Sequence, residues 1–349
     1  MRNPCGIYTS IKIPADNITM EQNQQCFLVL SFVALLILVT AVFMSGWIPT
    51  DTLPFKILET GVNSNRGITM STPVHQTATA EFKHRGPRPE WYNGTAADSI
   101  RNLTSYLFEP CGHFLPYSYP AKTIATLNTK EDCGRITPVG HYWTCAIVGN
   151  GGILLHSGCG NEIDRNDFVI RMADSPLRKF EKDVGKKVNL TVVNRMFLNK
   201  MPMGKRTMNW YSQWLVTRNN SIVSNVLSGS ELLKNLTAEV KNLHLNITIT
   251  YSVYRTRHQV KSFWNETLMT FLPMPSTGLI TYSLASTFCD VITLYGFYPF
   301  KKDVHKKRVR YHYYDKGRKG KHHDFRSEHR ILKSLHNSGV IKMVTDFCK

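Results

Sequence analysis

Two histidines near the carboxyl end of the chain could move a proton or bind an anion. His312 lies in the segment Y-H-Y-Y-D, and His323 lies in H-D-F-R-S-E, five residues before Glu328. A histidine beside a carboxylate can act as a general base, because the carboxylate orients the ring and raises its basicity. Other histidines stand close by, so spacing alone does not select the base. Two solvated histidines in a basic loop remain the alternative interpretation.

A second feature with possible chemistry is the glycine-rich turn V-G-N-G-G, residues 148–152. The turn follows an apolar run and precedes a stretch that could form a helix. Backbone N–H groups in such a turn can point at an anion, and the N-terminus of a following helix favours negative charge. Asn150 adds an amide that can bind a base or a sugar hydroxyl. Because the spacing is not G-x-G-x-x-G, a tight β-to-α corner without a ligand stays open.

The charge of the chain indicates an anionic partner. The 349 residues carry a formal net charge of +18, and residues 301–321 contain ten Lys or Arg against two Asp. Such a segment predicts electrostatic capture of an anionic substrate or of an anionic membrane surface, with a solvated loop as the alternative. The chain contains neither D-x-D nor H-E-x-x-H, so no metal site is predicted.

An uncharged segment near the N-terminus predicts a membrane anchor. Phe27 to Trp47 contains 21 residues without a charge, and such a helix spans about 30 Å, the thickness of a bilayer core. The apolar core of a cleaved signal peptide is shorter, about 7–15 residues. N-x-S/T sequons follow the span at Asn93, Asn102, Asn189, Asn219, Asn235, Asn246 and Asn265, and only Asn17 precedes it. This distribution predicts an N-glycosylated lumenal or extracellular C-terminal part and makes nucleic acid an improbable partner.

The predicted organisation therefore has four parts. They are a cytoplasmic tail at 1–26, a signal-anchor at 27–47, a stem at 48–110 and a folded domain at 111–349. Six cysteines follow the anchor, namely Cys111, Cys133, Cys145, Cys159, Cys289 and Cys348. An even set beyond the membrane predicts disulfide bonds, whose pairing the spacing leaves open.

The folded domain has the pattern of an α/β protein with a mainly parallel sheet. Short apolar runs predict buried strands at 142–149, 167–172 and 187–194, with space for one short helix between Ile153 and Asp164. Residues 277–300 read as a helix followed by a strand, and 330–339 as a helix that ends at Gly339. Strands that alternate with helical stretches favour this fold class.

Four segments in this order resemble the motifs of the animal sialyltransferases. Residues 145–187 resemble the large sialylmotif, 274–300 the small motif, 311–315 the third motif, and His323 to Glu328 the very small motif. The turn V-G-N-G-G-I-L, the H-Y-Y-D motif and the start S-T-G-L of the small motif look most like the α2,8-sialyltransferase branch.

The resemblance implies a GT-A-like, Rossmann-type lumenal domain in a type II protein of the Golgi membrane. It implies metal-independent, inverting transfer of sialic acid from CMP-sialic acid to a glycolipid or glycoprotein glycan that already ends in sialic acid. Transfer in α2,3 or α2,6 linkage is the alternative within the same family.

The resemblance also assigns roles to residues. Asn150, Gly151 and Gly152 are expected to contact the donor nucleotide, and Ser276, Thr277 and Gly278 to bind its phosphate or sugar. Phe297 and Tyr298 are expected to line the nucleotide pocket, and Asn194 to lie on the donor side. His312 is expected to neutralise the leaving phosphate, and His323 to act as the general base. The implied disulfides are Cys145–Cys289 and Cys159–Cys348, which leave Cys111–Cys133 by elimination.

One position departs from the pattern of the α2,8 branch. After F-V-I-R that branch usually has Cys-Asn, whose Asn contacts the donor, whereas this chain has Met172 and Ala173. The missing amide keeps a second hypothesis open, in which the protein is a sialyltransferase-like glycan-binding protein without catalytic activity. The intact histidines and the S-T-G segment favour the enzyme, because a protein that only binds needs no base.

Overall fold

The computed structural model describes residues 86–105, 107–120, 134–173, 175–199, 204–226, 233–268, 271–315, 317 and 322–348. The predicted tail at 1–26, the predicted anchor at 27–47 and Cys133 lie outside these residues. No helix within the described part of the chain is long and apolar enough to cross a membrane.

The apolar runs form one mixed sheet, to which the described residues contribute eight strands. In chain order these are β1 Leu115–Pro116, β2 Tyr142–Val148, β3 Phe168–Met172, β4 Leu190–Val192, β5 Ser221–Asn225, β6 Ile247–Tyr251, β7 Cys289–Tyr295 and β8 Ile341–Val344. Their order across the sheet is β1-β6-β5-β4-β3-β2-β7-β8. All pairings are parallel except β1 with β6. The predicted α/β fold with a mainly parallel sheet is confirmed.

The strand order reverses between β2 and β7. The chain adds β3, β4, β5 and β6 in turn on one side of β2, and then returns to place β7 and β8 on its other side. At such a point the loops that leave the carboxyl ends of the two strands diverge and open a crevice, which is where open parallel sheets bind ligands. The V-G-N-G-G turn follows β2 at this position.

Helices connect the strands and cover the sheet. They are α1 Gly94–Ser105, α2 Pro110–His113, α3 Gly160–Asp164, α4 Glu181–Val184, α5 Arg195–Asn199, α6 Gly204–Val216, α7 Lys234–Asn242, α8 Thr256–Leu268, α9 Thr277–Ala285 and α10 Phe325–Asn337. Every residue of α9 after Thr277 is buried, so this helix lies inside the domain. The helix predicted in the first half of 277–300 is confirmed.

The last helix begins earlier than its apolar pattern indicated. α10 starts at Phe325, because the Asp324 carboxylate accepts hydrogen bonds from the N–H groups of Arg326 and Ser327. A carboxylate at this position satisfies donors that a helix N-terminus otherwise leaves unpaired. Gly339 follows the helix with a φ of 72°, which confirms its predicted role at the helix end.

Part of the predicted stem belongs to the folded domain. Helix α1 buries Ala97 and Ile100. Nη2 of Arg101 lies 3.0 Å from Oδ1 of Asp290 on β7. The domain thus includes residues N-terminal to 110, where the sequence placed its boundary.

Both disulfides implied by the resemblance are present. Cys145–Cys289 joins the neighbouring strands β2 and β7, and Cys159–Cys348 joins the segment before α3 to the C-terminal end of the chain. Cys111 is also disulfide-bonded. The first two bonds fasten the elements on both sides of the strand-order reversal.

Candidate active site

The glycine-rich turn after β2 packs backbone against backbone with two other segments. The N–H of Gly149 donates to the carbonyl of Tyr295 at 2.7 Å, and that of Gly151 donates to Gly296 at 3.1 Å. The N–H of Gly152 donates to the carbonyl of Tyr311 at 3.2 Å. These three amides bind protein carbonyls, so their N–H groups are occupied within the protein, as the corner interpretation of this turn requires. The turn continues into one 3-10 turn, Gly152–Leu154, and not directly into an α-helix.

Steric limits explain why glycines are needed here. A Cβ at Gly151 would lie 2.3 Å from the carbonyl oxygen of Gly296. A Cβ at Gly152 would lie 2.2 Å from the carbonyl oxygen of Arg310. Any side chain would therefore separate the post-β2 turn from the loops after β7 and around residue 310. The corner interpretation of this turn explains Gly151 and Gly152.

Within this turn, the side chain of Asn150 offers an oxygen that can accept a hydrogen bond from a ligand. Its backbone carbonyl accepts from the N–H of Tyr313 at 3.1 Å. Its side-chain Oδ1 is buried and has no hydrogen-bond partner among the residues that the structure describes. Buried amide oxygens are nearly always paired, so an unpaired one in a crevice points to a ligand or an ordered water.

His312 lies beside the same turn. The backbones of Gly151 and His312 form an isolated antiparallel bridge. Nδ1 of His312 is 3.0 Å from both carboxylate oxygens of Asp315. Since a carboxylate only accepts, Nδ1 carries a proton and Nε2 is left on the opposite side of the ring. Asp315 thus orients an imidazole that can bind an anion.

The exposed segment before His312 carries many positive charges. Lys301, Lys302, Lys306, Lys307, Arg308 and Arg310 are exposed. The backbone of this segment reaches the turn at Gly152, through the close contact with Arg310. Positive charge at the entrance of a crevice raises the local concentration of anionic ligands.

Phe297 joins the turn after β2 to the start of α9. A Cβ at Gly278 would lie 2.8 Å from Cε1 of the Phe297 ring, and one at Gly149 would lie 3.3 Å from Cε2. The small motif and the large motif therefore meet at one aromatic ring. The Tyr298 hydroxyl donates to the carbonyl of Lys302 at 2.9 Å, which ties this residue to the basic segment.

The N-terminus of α9 is fixed by Glu328. The backbone N–H of Ser276 donates to Oε1 of Glu328 at 2.7 Å, and the Ser276 hydroxyl donates to Oε2. The same hydroxyl accepts from the N–H of Leu279, as a helix N-cap. These contacts use the Ser276 side chain, whereas the first N–H groups of α9, at Thr277 and Gly278, lack an intrahelical acceptor.

His323 is oriented by a backbone carbonyl. Its Nδ1 lies 2.9 Å from the carbonyl oxygen of Met274, which precedes α9. Because a carbonyl oxygen only accepts, Nδ1 is the protonated nitrogen and Nε2 has the free lone pair. Glu328, five residues after His323, binds Ser276 through both carboxylate oxygens, whereas the hydrogen bond that orients the His323 ring comes from Met274.

Burial lowers the pKa of the His323 imidazole below its ordinary value of 6.5. The hydrogen bond to Met274 raises this pKa, whereas the positive charge of Arg257 and that of His322 lower it further. The charged form is disfavoured because it loses hydration in a half-buried site. At neutral pH, His323 is therefore a neutral imidazole with a basic Nε2.

Two predicted positions lie at the carboxyl ends of neighbouring strands. Oδ1 of Asn194, after β4, accepts from the N–H of Phe197 at 2.9 Å and so caps α5. Ala173, after β3, is buried and has a φ of 43°, in the left-handed region. Val148 on β2 pairs with Arg171 on β3. Asn150 and Ala173 each come two residues after these paired positions, so they lie at the same height on the carboxyl edge of the sheet.

The sequence analysis missed Met274 and Arg257. Met274 contributes a backbone carbonyl, which no pattern of side-chain types reveals. Arg257 is one of 43 Lys and Arg residues, and only its position near His323 distinguishes it. In the part of the chain that the structure describes, no three His, Cys, Asp or Glu side chains form a group that could hold a metal ion.

Comparisons with known proteins agree with the motifs. Residues 107–340 match the model of glycosyltransferase family 29 (sialyltransferase). The chain is 31% identical over 212 residues to an alpha-N-acetylneuraminide alpha-2,8-sialyltransferase of Xenopus laevis. That match covers 59% of this chain and 59% of the relative, so it spans less than two thirds of the relative's length.

Two solved structures of a mammalian sialyltransferase are also similar, each at 19% sequence identity. One aligns over 75% of this chain and 82% of its own chain, with a TM-score of 0.42. The other, a complex with Gal-beta-1-3GalNAc-ortho-nitrophenol, aligns over 73% of this chain and 87% of its own, with a TM-score of 0.44.

Proposed function

The chain belongs to glycosyltransferase family 29, the sialyltransferases, and we propose that it transfers sialic acid from CMP-sialic acid to a glycan that already ends in sialic acid, in α2,8 linkage. The linkage is supported by the name of the Xenopus relative and by the V-G-N-G-G, S-T-G-L and H-Y-Y-D segments. The acceptor is a sialylated glycolipid or glycoprotein.

The observation that carries the proposal is the orientation of His323. A general base must be neutral and must present a lone pair to the hydroxyl group that it deprotonates. The carbonyl of Met274 fixes the proton on Nδ1, and burial keeps the ring neutral. His323 therefore offers Nε2 to the acceptor hydroxyl before the reaction begins.

The other side of the crevice suits the departing phosphate. His312, oriented by Asp315, provides an N–H or a positive charge, and the N-terminus of α9 adds a favourable dipole. The Asn150 amide, with its unpaired Oδ1, fits the nucleotide. Phe297 and Tyr298 line the pocket between these groups, and Asn194 lies further along the same sheet edge.

The proposed reaction is a single inverting displacement. The bond between the anomeric carbon and the phosphate oxygen breaks, while the acceptor oxygen forms a new bond to that carbon. The acceptor proton moves to Nε2 of His323, and CMP leaves. The β linkage of the donor becomes an α linkage in the product. Well-placed proton transfer accelerates such reactions by typically ~10²–10⁴-fold.

The cellular setting is proposed on the sequence and on family membership. We place the protein in the Golgi membrane as a single-pass type II protein, with a GT-A-like catalytic domain in the lumen. The sequon residues Asn102 and Asn235 are exposed, which suits N-glycosylation. Asn189 is only partly exposed, and its Oδ1 accepts from the N–H of Val169 at 2.9 Å, so this sequon is less accessible than those two in the folded domain.

A second function is favoured by one observation. Ala173 lacks the amide that the α2,8 branch places near the donor, and it has a left-handed backbone conformation that Asn tolerates better. A protein that binds CMP-sugars or anionic glycans without catalysis could function without this amide. The histidine geometry argues for the enzyme, because binding alone does not require a neutral base.

Product analysis distinguishes these functions. The full chain is incubated with CMP-sialic acid and either a sialylated or a galactose-terminated acceptor, and the new linkage is determined. We expect α2,8-linked product from the sialylated acceptor only. Products joined α2,3 or α2,6 to galactose would contradict the linkage. Loss of transfer with retained CMP binding in His323→Ala supports the enzyme, and absence of transfer by the native protein supports the binding protein.

A further inference from the structure

An arginine lies near the proposed base and forms no ion pair with any residue that the structure describes. Arg257 is in the first turn of α8 and is half-buried. Arg257 and His323 both contact Met274, and the positive charge of Arg257 acts on the His323 ring. The proposed mechanism assigns no role to this charge.

The hydrogen-bonding capacity of Arg257 is largely unused. Its Nε is buried and has no hydrogen-bond partner in the described part of the chain. Nη1 lies 3.7 Å from the sulfur of Met274, which is a weak acceptor. Among the described residues, no carboxylate lies within ion-pair distance of this guanidinium, and burial alone lowers its pKa. A partly buried cation without a partner costs stability, so an anionic ligand is the natural partner.

Met274 fixes the relative position of Arg257 and His323. Its backbone carbonyl binds Nδ1 of His323 at 2.9 Å, and its side-chain sulfur contacts Nη1 of Arg257 at 3.7 Å. Because both side chains contact Met274, the guanidinium lies on the same side of the site as His323, which is the acceptor side. The groups assigned to the donor, His312 and Asn150, are held instead by the turn after β2.

We propose that Arg257 binds the carboxylate of the terminal sialic acid of the acceptor, the same sugar whose hydroxyl group His323 deprotonates. This inference rests on the proposed function. Arginine matches a carboxylate through two parallel N–H···O bonds, which fixes orientation as well as affinity. An acceptor that ends in galactose has no such charge. Arg257 is thus a residue that selects sialylated acceptors over neutral ones.

The test combines variants of the protein with a change in the acceptor. Initial rates of the full chain are measured with sialyllactose and with the same sugar whose carboxylate is converted to an amide. For the native protein, we expect the amide to raise the acceptor KM by about 10- to 100-fold, as loss of a charge-assisted hydrogen bond would. Arg257→Gln should raise the KM for sialyllactose by a similar factor.

The two changes should not add. Since the amide already lacks the charge that Arg257 reads, Arg257→Gln should leave the KM for the amide within about 3-fold of the native value. Arg257→Lys should restore part of the affinity for sialyllactose. The KM for CMP-sialic acid should stay unchanged. The matched control is Arg255→Gln, which removes an exposed arginine two residues away and should alter neither KM.

Several outcomes would overturn the inference. If the native protein uses the amide as well as sialyllactose, Arg257 does not read the carboxylate, whether or not the variant folds. Equal losses with both acceptors in Arg257→Gln would indicate a structural role. If the native protein transfers nothing to sialyllactose, the proposed function fails together with the inference, whereas a failure of the amide comparison alone leaves the proposed function intact.

Discussion

Ser276 and Glu328 are joined by two hydrogen bonds although 52 positions separate them in the sequence. Oε1 of Glu328 accepts from the backbone N–H of Ser276 at 2.7 Å, and Oε2 accepts from the Ser276 hydroxyl. Both residues are buried. The very small motif thus supports the start of the small motif, because a buried carboxylate on α10 positions the N-terminus of α9.

Glu328→Gln is expected to destabilise the domain and weaken donor binding. The variant places an NH₂ group where Ser276 needs an acceptor, which costs about 1–3 kcal/mol. The acidic limb of the pH–rate profile should stay in place, because Met274 orients His323. Thermal unfolding and kcat/KM against pH measure both effects. Glu239→Gln is the control, because Glu239 on α7 also accepts a hydrogen bond from a serine hydroxyl, that of Ser212 on α6. A displaced acidic limb with unchanged Tm would contradict this account.

The pH dependence of kcat/KM is expected to follow His323. Burial lowers its pKa below 6.5, so the basic neutral form dominates at and above that pH. Activity should therefore remain level from about pH 7.5 down to the ordinary histidine value of about 6.5, and fall only at lower pH. Removing the nearby positive charge in His322→Ala should move the acidic limb to higher pH. An acidic limb centred above 6.5 in the native protein would exclude His323 as the base.

Asn150→Ala is expected to separate donor binding from stability. Because Oδ1 of Asn150 is buried and unpaired, its removal should change the Tm little or raise it slightly. The KM for CMP-sialic acid should rise by about 3- to 10-fold, as for one neutral hydrogen bond. Asn189→Ala is the matched control: it removes an amide that binds Val169, and should lower the Tm without changing the donor KM. The reverse pattern would show that Asn150 is structural.

Two substitutions at Ala173, by Asn and by Asp, test the donor side of the crevice, because the two new side chains have the same shape and differ in charge. Asn and Asp both tolerate the left-handed conformation that Ala173 has, at a φ of 43°. Ala173→Asn is expected to lower the KM for CMP-sialic acid several-fold by adding an amide. Ala173→Asp should raise it, because a carboxylate repels the donor phosphate. If both variants have the same donor KM, residue 173 does not face the donor.

His113 is expected to make the domain sensitive to acid. This ring is fully buried between Leu107, Ser252 and Thr256, and burial lowers its pKa to about 4. The unfolded chain takes up a proton near pH 6.5, whereas the folded chain does so only near pH 4. Stability is therefore present above pH 6.5 and decreases as the pH falls through this window, by about 3 kcal/mol.

Urea unfolding at a series of pH values measures this decrease. His113→Gln should flatten the dependence on pH between 6.5 and 4, although it lowers stability throughout. His258→Gln removes an exposed histidine on α8 and serves as the control. An unchanged slope in the His113 variant would assign the acid sensitivity to other groups.

The sequence by itself determined the strands around the site and the order of its motifs. Apolar runs placed β2, β3 and β7 within one or two residues of their observed positions, because a buried strand must present apolar side chains on both faces. The glycines at 151 and 152 were also recognisable as special positions, and of the two interpretations that the sequence left open, the tight corner accounts for both of them. Local composition carries this information, since each run needs only its own residues to be recognised.

Only the tertiary structure decided which groups these elements bring together. Glu328 binds Ser276, 52 positions away, and the amides of the glycine turn bind carbonyls of residues more than a hundred positions away. Arg257 and the carbonyl of Met274 reach His323 from a different part of the chain. Such contacts depend on strand order and on the exact approach of backbones, which no local pattern of residue types encodes.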